Sequence, residues 1–314
     1  MKAVAIQSFG GPEVLALTEL PRPKPERGEV LVRMLAAGVN PVDWKIREGR
    51  LSPATPHAFP LIPGWDVAGV VEELGENCQR FRKGDRVFAY ARKPHLQWGT
   101  YAEYVAVAER HVALMPPSLL FEEAAAMPCA ALTAQQALAR AGVGSGAVLL
   151  VLNGSGGVGH FALQLAKSAG LRTFATAGPR NQEFVMSQGA EAAIDYTRDD
   201  FVAAVKARVP DGVDVVLDAI GGEALAASVA AVKPGGVIVS VVDRLERDAT
   251  TAHSVRFERI NSEPSGEQLS VFAALAGRKK LRPHVQTIFT LADAARAQEE
   301  SRAGHVRGKL VVAL

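Results

Sequence analysis

The stretch from Ala147 to Ala169 limits the possible fold more than any other part of the chain. Five consecutive apolar residues, Val148-Leu149-Leu150-Val151-Leu152, lead to Gly154-Ser155-Gly156-Gly157-Val158-Gly159, and Phe161-Ala162-Leu163-Gln164-Leu165-Ala166 follows with helix-forming composition. An unbroken apolar run suits a strand buried on both faces, and a helix opening directly after a glycine turn aims its free amides at an anion. Gly154 permits the turn, Gly156 lets the backbone approach a pyrophosphate, and Gly159 lets the helix lie against the strand. Gly157 and Val158 belong to the open first turn of that helix. Glycines alone also mark ordinary turns; the strand before them and the helix after them are what point to a dinucleotide.

The strand-then-helix pattern repeats. Arg172–Thr176, Ala192–Ile194, Val213–Leu217 and Val237–Val242 read as strands, with helices at Glu183–Gln188, Phe201–Arg208 and Glu223–Val232. This alternation predicts an α/β domain of Rossmann type, a parallel sheet with helices on both faces. Beyond Asp243, Asp248–Ser254 reads as a loop, Arg256–Ile260 as an edge strand, Gly266–Ala276 and Leu291–Ser301 as helices, and Gly308–Val312 as a last strand.

The first part of the chain has another texture. Ala3–Ile6, Glu29–Met34, Asp66–Leu74, Arg86–Tyr90 and Tyr101–Val107 read as strands, broken by turns such as Phe9-Gly10-Gly11-Pro12 and Lys83-Gly84-Asp85. Helical composition starts at Leu119–Ala125, with Ser118 as the expected N-cap, and continues at Leu132–Ala141. Residues 1–117 are therefore expected to form a mainly β domain and residues 118–282 the cofactor domain. The last strand needs a sheet, and residues 283–314 are expected to return and complete the first domain.

At 314 residues, 48% hydrophobic and 22% charged, the chain has the composition of a folded protein. A net charge of +2 argues against a nucleic-acid partner, and Arg278-Lys279-Lys280 reads as a solvated helix end. Cys78 and Cys129 are too few and too far apart for a disulfide framework, so a reducing, cytoplasmic setting is expected. No signal-peptide pattern opens the chain and no apolar run approaches about 18 residues, so neither secretion nor membrane spanning is expected.

The second strand of the repeat ends Ala175-Thr176-Ala177-Gly178-Pro179-Arg180-Asn181. An NAD-binding domain carries a carboxylate there for the ribose hydroxyls, and that group would repel a 2'-phosphate. Arg180 can pair with such a phosphate, helped by Gly178 and Asn181, so NADPH is the expected cofactor. The alternative is a solvated turn that opens the next helix. Asp218-Ala219-Ile220-Gly221-Gly222 and Gly235 to Ser240 follow two further strands, and Gly221 and Ser240 are expected near the nicotinamide end.

No zinc pattern is found: neither Cys has a neighbouring Cys or His, and the seven His form no H-x-x-x-H pair. Ser155 lies inside the glycine turn and lacks a G-x-S-x-G elbow, so a serine hydrolase is not supported.

Several motifs in order give the chain a family likeness. Ala37-Gly38-Val39-Asn40-Pro41-Val42-Asp43-Trp44-Lys45, Pro63-Gly64-Trp65-Asp66-Val67-Ala68-Gly69-Val70-Val71, Gly84-Asp85-Arg86-Val87, Ala131-Leu132-Thr133-Ala134, the glycine turn and Gly308-Lys309-Leu310-Val311 follow one another. Together they resemble the zinc-free quinone oxidoreductase branch, zeta-crystallin included, of the medium-chain dehydrogenase/reductase superfamily. The resemblance implies a GroES-like β domain beside the Rossmann-type domain, a homodimer, and NADPH-dependent reduction of a quinone or an α,β-unsaturated carbonyl. In the superfamily's zinc-dependent alcohol dehydrogenases a Cys falls at Asn40, and His and Glu fall at Trp65 and Asp66. The likeness places Asn40, Asp43 and Trp65 in the substrate pocket and Thr133 near the nicotinamide.

Each residue has a plainer reading beside its functional one. Asn40 can donate to a carbonyl or fix its own turn; Asp43 can organise the pocket or cap the turn at Trp44–Ile46. Trp65 can face an aromatic substrate or simply pack, and Tyr90 and Tyr101 are proton-donor candidates or β-core residues. An enoyl-thioester reductase and a nonenzymatic NADPH-binding sensor or structural protein remain as alternatives. Arg256–Ile260 is a possible dimer contact.

Overall fold

A computed structural model describes residues 1–51 and 54–314, in two compact units: Met1–Leu132 with Pro264–Leu314, and Thr133–Glu263. The chain enters the first unit through β1 (Lys2–Ala5), β2 (Ala16–Glu19), β3 (Glu29–Val39), α1 (Pro41–Arg47), β4 (His57–Ile62) and β5 (Asp66–Leu74). It continues with β6 (Arg86–Tyr90), β7 (Leu96–Trp98), β8 (Tyr104–Ala108), β9 (Val112–Leu114), α2 (Phe121–Ala125) and α3 (Pro128–Ala141), whose residues from Thr133 on belong to the second unit. The second unit holds β10 (Val148–Leu152), α4 (Gly157–Ser168), β11 (Arg172–Ala177), α5 (Gln182–Gln188), β12 (Ala192–Asp195) and α6 (Phe201–Lys206). After these come β13 (Val213–Asp218), α7 (Gly222–Ser228), β14 (Val232–Ser240), α8 (Arg247–Ala252) and β15 (Arg256–Arg259). The first unit resumes with α9 (Gly266–Gly277), β16 (Val285–Thr290), α10 (Ala294–Ala303) and β17 (Lys309–Ala313).

Among the described residues, the second unit's strands form one parallel sheet in the order β12-β11-β10-β13-β14-β15. The order reverses at β10, whose successors lie on opposite sides of it; ligands of open α/β sheets bind at the carboxyl end of such a strand. Leu149, Leu150, Val151 and Leu152 are fully buried, as an apolar run covered on both faces requires.

In the first unit the order is β16-β17-β3-β5-β6-β9, with β8 also on β3. β17 pairs antiparallel with β3, Leu310 opposite Val39, so the chain's last strand does complete the N-terminal sheet.

Several local expectations change. The units meet at 132/133 and 263/264, not at 117/118 and 282/283, because α2 packs on β3 and β5 and α9 on β9 and β6. Leu120, not Ser118, caps α2, and the Glu123 carboxylate accepts its N–H at 3.0 Å. Part of the expected loop at 248–254 is α8. β2, β4, β16 and the seven-residue α1 were not expected, nor were β7 and β9, which at three residues each are too short to show a period. Among the described residues no helix is long and apolar enough to cross a membrane.

Candidate cofactor and substrate sites

The glycine turn leaves β10 through Asn153, whose φ of 63° puts the left-handed residue one place before Gly154. Asn tolerates that conformation better than most residues, so the glycines serve another need. They make room. An added Cβ would lie 2.6 Å from Ala175 Cβ at Gly154, and at Gly159 only 2.1 Å from the Asn153 carbonyl oxygen. Gly154 is thus required by its closeness to β11 rather than by the turn's dihedral angle. Gly156 caps α4, and His160 N–H donates to Gly156 O at 3.1 Å; the amides of Gly157, Val158 and Gly159 precede it in the helix's first turn. Thr176 fastens the turn to β11, its Oγ1 accepting Asn153 N–H at 3.0 Å and its carbonyl accepting Gly154 N–H at 2.9 Å. A backbone cradle with open amides and no space for side chains fits the pyrophosphate of a dinucleotide.

The tip of β11 reaches the same turn. Asn181 Nδ2 donates to Ser155 Oγ at 3.3 Å. Gly178 opens the 3-10 turn Pro179–Asn181, and Arg180 is exposed on it. A Cβ on Gly178 would come 3.5 Å from the hydroxyl of Tyr196, an exposed side chain just after β12. Tyr196 was not among the expected site residues. The signal lies in the register: β12 runs parallel to β11 with Asp195 opposite Ala177, so the residue after Asp195 emerges beside Gly178.

At the ends of β13 and β14 a buried carboxylate joins two loops. Asp218 Oδ1 accepts the N–H groups of Ile220 and Gly221, each at 3.0 Å, and Ser240 Oγ donates to Asp218 Oδ2 at 2.7 Å. The Ser240 hydroxyl also accepts from Asp243 N at 3.0 Å and Val242 N at 3.2 Å, so it acts as an internal brace rather than an open ligand. Gly221, with φ 82°, occupies a conformation that favours glycine. Thr133 is buried on α3.

The expected pocket residues all belong to the first unit, where Asn40 follows the last residue of β3 and caps α1. Its backbone N–H donates to Asp43 Oδ2 at 2.8 Å, and Tyr101 OH donates to the same oxygen at 2.9 Å. Asp43 thus sits in the first turn of α1, where its side chain accepts the N–H of the cap residue Asn40. Arg47, fully buried at the other end of α1, donates to Gln298 at 3.2 Å and Glu299 at 2.9 Å and ties α1 to α10. The Asn40 side chain meets a charge pair: Nδ2 donates to Asp66 Oδ2 at 2.8 Å, and Oδ1 accepts from the ammonium of Lys309. That ammonium lies 3.6 Å from Asp66 and also donates to Val39 O at 2.7 Å. Asp66 Oδ1 accepts Cys129 N–H at 2.8 Å, and Cys129 Sγ lies 3.6 Å from the Tyr90 hydroxyl.

Burial governs the ionisation here. Desolvation raises Asp43 to about 7 against the opposing hydrogen bonds from Asn40 and Tyr101. It raises Asp66 also, with Lys309 pulling the other way. Burial and then the Asp43 charge push Tyr101 well above the usual phenol range, so it remains a phenol that donates to Asp43. The Cys129 thiol, desolvated and close to Asp66, is pushed up to about 12 and is no ready nucleophile. Trp65 stacks edge-on against Tyr90 at 5.9 Å and lines a recess with Ile46, Leu61, Leu96 and Trp98. Neither Lys309 nor Cys129 is among the residues expected at the site, and Asp66 enters the expectation only as the residue that stands where the zinc enzymes have a Glu. A lysine directly before a closing apolar strand was the available signal.

Comparison with known proteins agrees with this architecture. Residues 26–117 match the alcohol dehydrogenase GroES-like domain, and residues 188–312 match the zinc-binding dehydrogenase family. The chain is 36% identical to the chloroplastic NADPH-dependent alkenal/one oxidoreductase of Arabidopsis thaliana, over 99% of this chain and 79% of that protein. It is 34% identical to the chloroplast envelope quinone oxidoreductase homolog of the same plant, over 99% of this chain and 98% of that one. The solved quinone oxidoreductase of Coxiella burnetii superposes with a TM-score of 0.90 at 35% identity, covering 100% of this chain and 99% of that one.

The second family's name implies zinc, which these residues do not fit. Asn40 and Asp66 are already bound to the Lys309 ammonium, which would repel another cation, and the Trp65 indole cannot coordinate one. Among the described residues no group of three or more His, Cys, Asp and Glu is placed to hold a metal. Matched over nearly its whole length in both sequence and fold, the chain belongs to the quinone oxidoreductase branch of the medium-chain dehydrogenase/reductase superfamily.

Proposed function

We propose that the protein uses NADPH to reduce a small quinone, or the activated carbon–carbon double bond of an α,β-unsaturated carbonyl, without a metal. The observation that carries this reading is near-full-length similarity to relatives named for alkenal/one and quinone oxidoreduction, in a chain whose own glycine cradle suits a dinucleotide. The bound cofactor supplies the hydride. The open amides of α4 hold its pyrophosphate, while Arg180, Asn181 and Gly178 receive the 2'-phosphate. The Asp218–Ser240 brace keeps the loops after β13 and β14 in place beside it. Asn40 has a second amide hydrogen beyond the one given to Asp66, and that N–H stabilises charge developing on the substrate oxygen. Trp65 and Tyr90 supply a flat wall for a conjugated substrate. The later proton comes from water, because Tyr101 is committed to Asp43.

β15 pairs with β14 and, among the described residues, with no strand on its other side, which supports a homodimer formed along that edge. Neither Cys78 nor Cys129 is joined in a disulfide among the described residues, which suits a reducing compartment such as the cytoplasm.

Anaerobic turnover of NADPH and NADH against matched quinones and enones, with products identified, tests the activity; oxidation of alcohols that a chelator stops would sink it. Arg180→Ala is expected to weaken NADPH binding about tenfold and leave NADH binding unchanged, as loss of one charged phosphate contact should. Equal NADPH affinity in both proteins would remove Arg180 from the site.

A further inference from the structure

We propose that Lys309 is a positioning residue for this reduction: its ammonium locks the Asn40 carboxamide in the one orientation that leaves an N–H for the substrate oxygen. The inference rests on the function proposed above and adds a residue that function did not require.

A carboxamide can usually turn end for end with little change in shape. Here it cannot. Asn40 Oδ1 faces the Lys309 ammonium and Nδ2 faces the Asp66 carboxylate at 2.8 Å, so reversal would set N–H against ammonium and oxygen against carboxylate. Both contacts would become repulsive inside a region where Asn40, Asp66 and Lys309 are each almost wholly buried. One of the two Nδ2 hydrogens goes to Asp66, and the other remains available.

The topology explains why a residue so near the end of the chain does this. β17 pairs with β3, Leu310 opposite Val39, which sets Lys309 at the start of β17 beside the end of β3. Its Nζ is then held by the Val39 carbonyl at 2.7 Å as well as by Asn40. Lysine is rarely buried without a partner, and at 3% exposure this one has three: Val39 O, Asn40 Oδ1 and the Asp66 carboxylate at 3.6 Å. Asp43, Tyr101 and Cys129 also interact with Asp66, and none of them is a cation; Lys309 is the positive charge that faces it.

A double-mutant cycle on the whole protein tests this. Lys309→Met is expected to lower kcat for an enone by about tenfold to a hundredfold, part of what loss of an oxyanion donor costs, while the Kd for NADPH stays within about twofold. Asn40→Ala should produce a similar loss, and the double variant should be no slower than Asn40→Ala alone, because Lys309 acts through Asn40. Losses that multiply in the double variant, or a Lys309→Met enzyme with wild-type kcat, overturn the proposal. Should Lys309→Met fail to fold, Lys309→Arg keeps the charge while displacing it, and the same cycle is read on that variant. A wild-type protein inactive on every quinone and enone overturns the proposed function along with this inference; an active wild type with additive variants overturns this inference alone.

Discussion

A Gly159→Val chain is expected to bind the dinucleotide at least a hundredfold more weakly than the wild type, a loss of about 2.7 kcal/mol in binding. The first added carbon alone would sit 2.1 Å from the Asn153 carbonyl oxygen and 2.8 Å from Gly154 Cα. Both are backbone atoms in a turn tied to Thr176 by two hydrogen bonds, so neither can swing aside. α4 must therefore move off β10, disturbing the packing of Phe161, Ala162, Leu163 and Ala166, all buried with little or no exposure. The open amides at the start of α4, proposed to hold the pyrophosphate, move with it. Gly156→Ala makes an informative contrast: its nearest neighbour is the Asn153 amide nitrogen at 2.6 Å, the far end of a side chain that can rotate away. Titration of nicotinamide fluorescence should then rank the proteins as wild type, Gly156→Ala, Gly159→Val. Near-equal affinity for the first and last would mean that the helix does not need this close approach.

That contrast shows what the sequence could convey. The apolar run at 148–152 and the glycines after it specified a buried strand, a turn and a helix, because each property is local. Spacing does not convey the reason for every glycine: the left-handed conformation belongs to Asn153, and Gly154 is small to make room for Ala175 across the sheet. Nothing local announces a neighbour brought by β11.

The substrate side was less legible for the same cause. Asn40, Asp43 and Trp65 were picked out by family motifs, yet the partners of Asn40 and Asp43 include Lys309 and Tyr101, which topology gathers from distant parts of the chain. Short strands such as β7 and β9 were hidden too, since three residues cannot display an alternation. Domain seams followed packing rather than composition: helical sequence began at 119, but α2 covers β3 and β5 of the first unit.

The buried Asp43 leads to the second large effect, a fall in stability as pH rises from about 4 to about 7. An ordinary aspartate releases its proton near 3.8, whereas burial keeps the folded protein's Asp43 protonated up to about 7. Between those values the folded state binds more protons than the unfolded chain, so stability decreases with rising pH by up to about 1.4 kcal/mol per unit, on the order of 4 kcal/mol across the window. The geometry supplies a place for the proton: Oδ2 accepts from Asn40 and Tyr101, while Oδ1 is buried with no hydrogen-bond partner among the described residues. Asp43→Asn keeps the size and one acceptor oxygen and removes the charge. Its unfolding free energy should therefore gain on the wild type by roughly 3 kcal/mol between pH 4.5 and pH 8, read from urea midpoints at both values. Asp66, also raised by burial, keeps the variant's own profile from becoming flat. Parallel profiles for the two proteins would show that Asp43 ionises like an exposed carboxylate and that its surroundings are wetter than this packing implies.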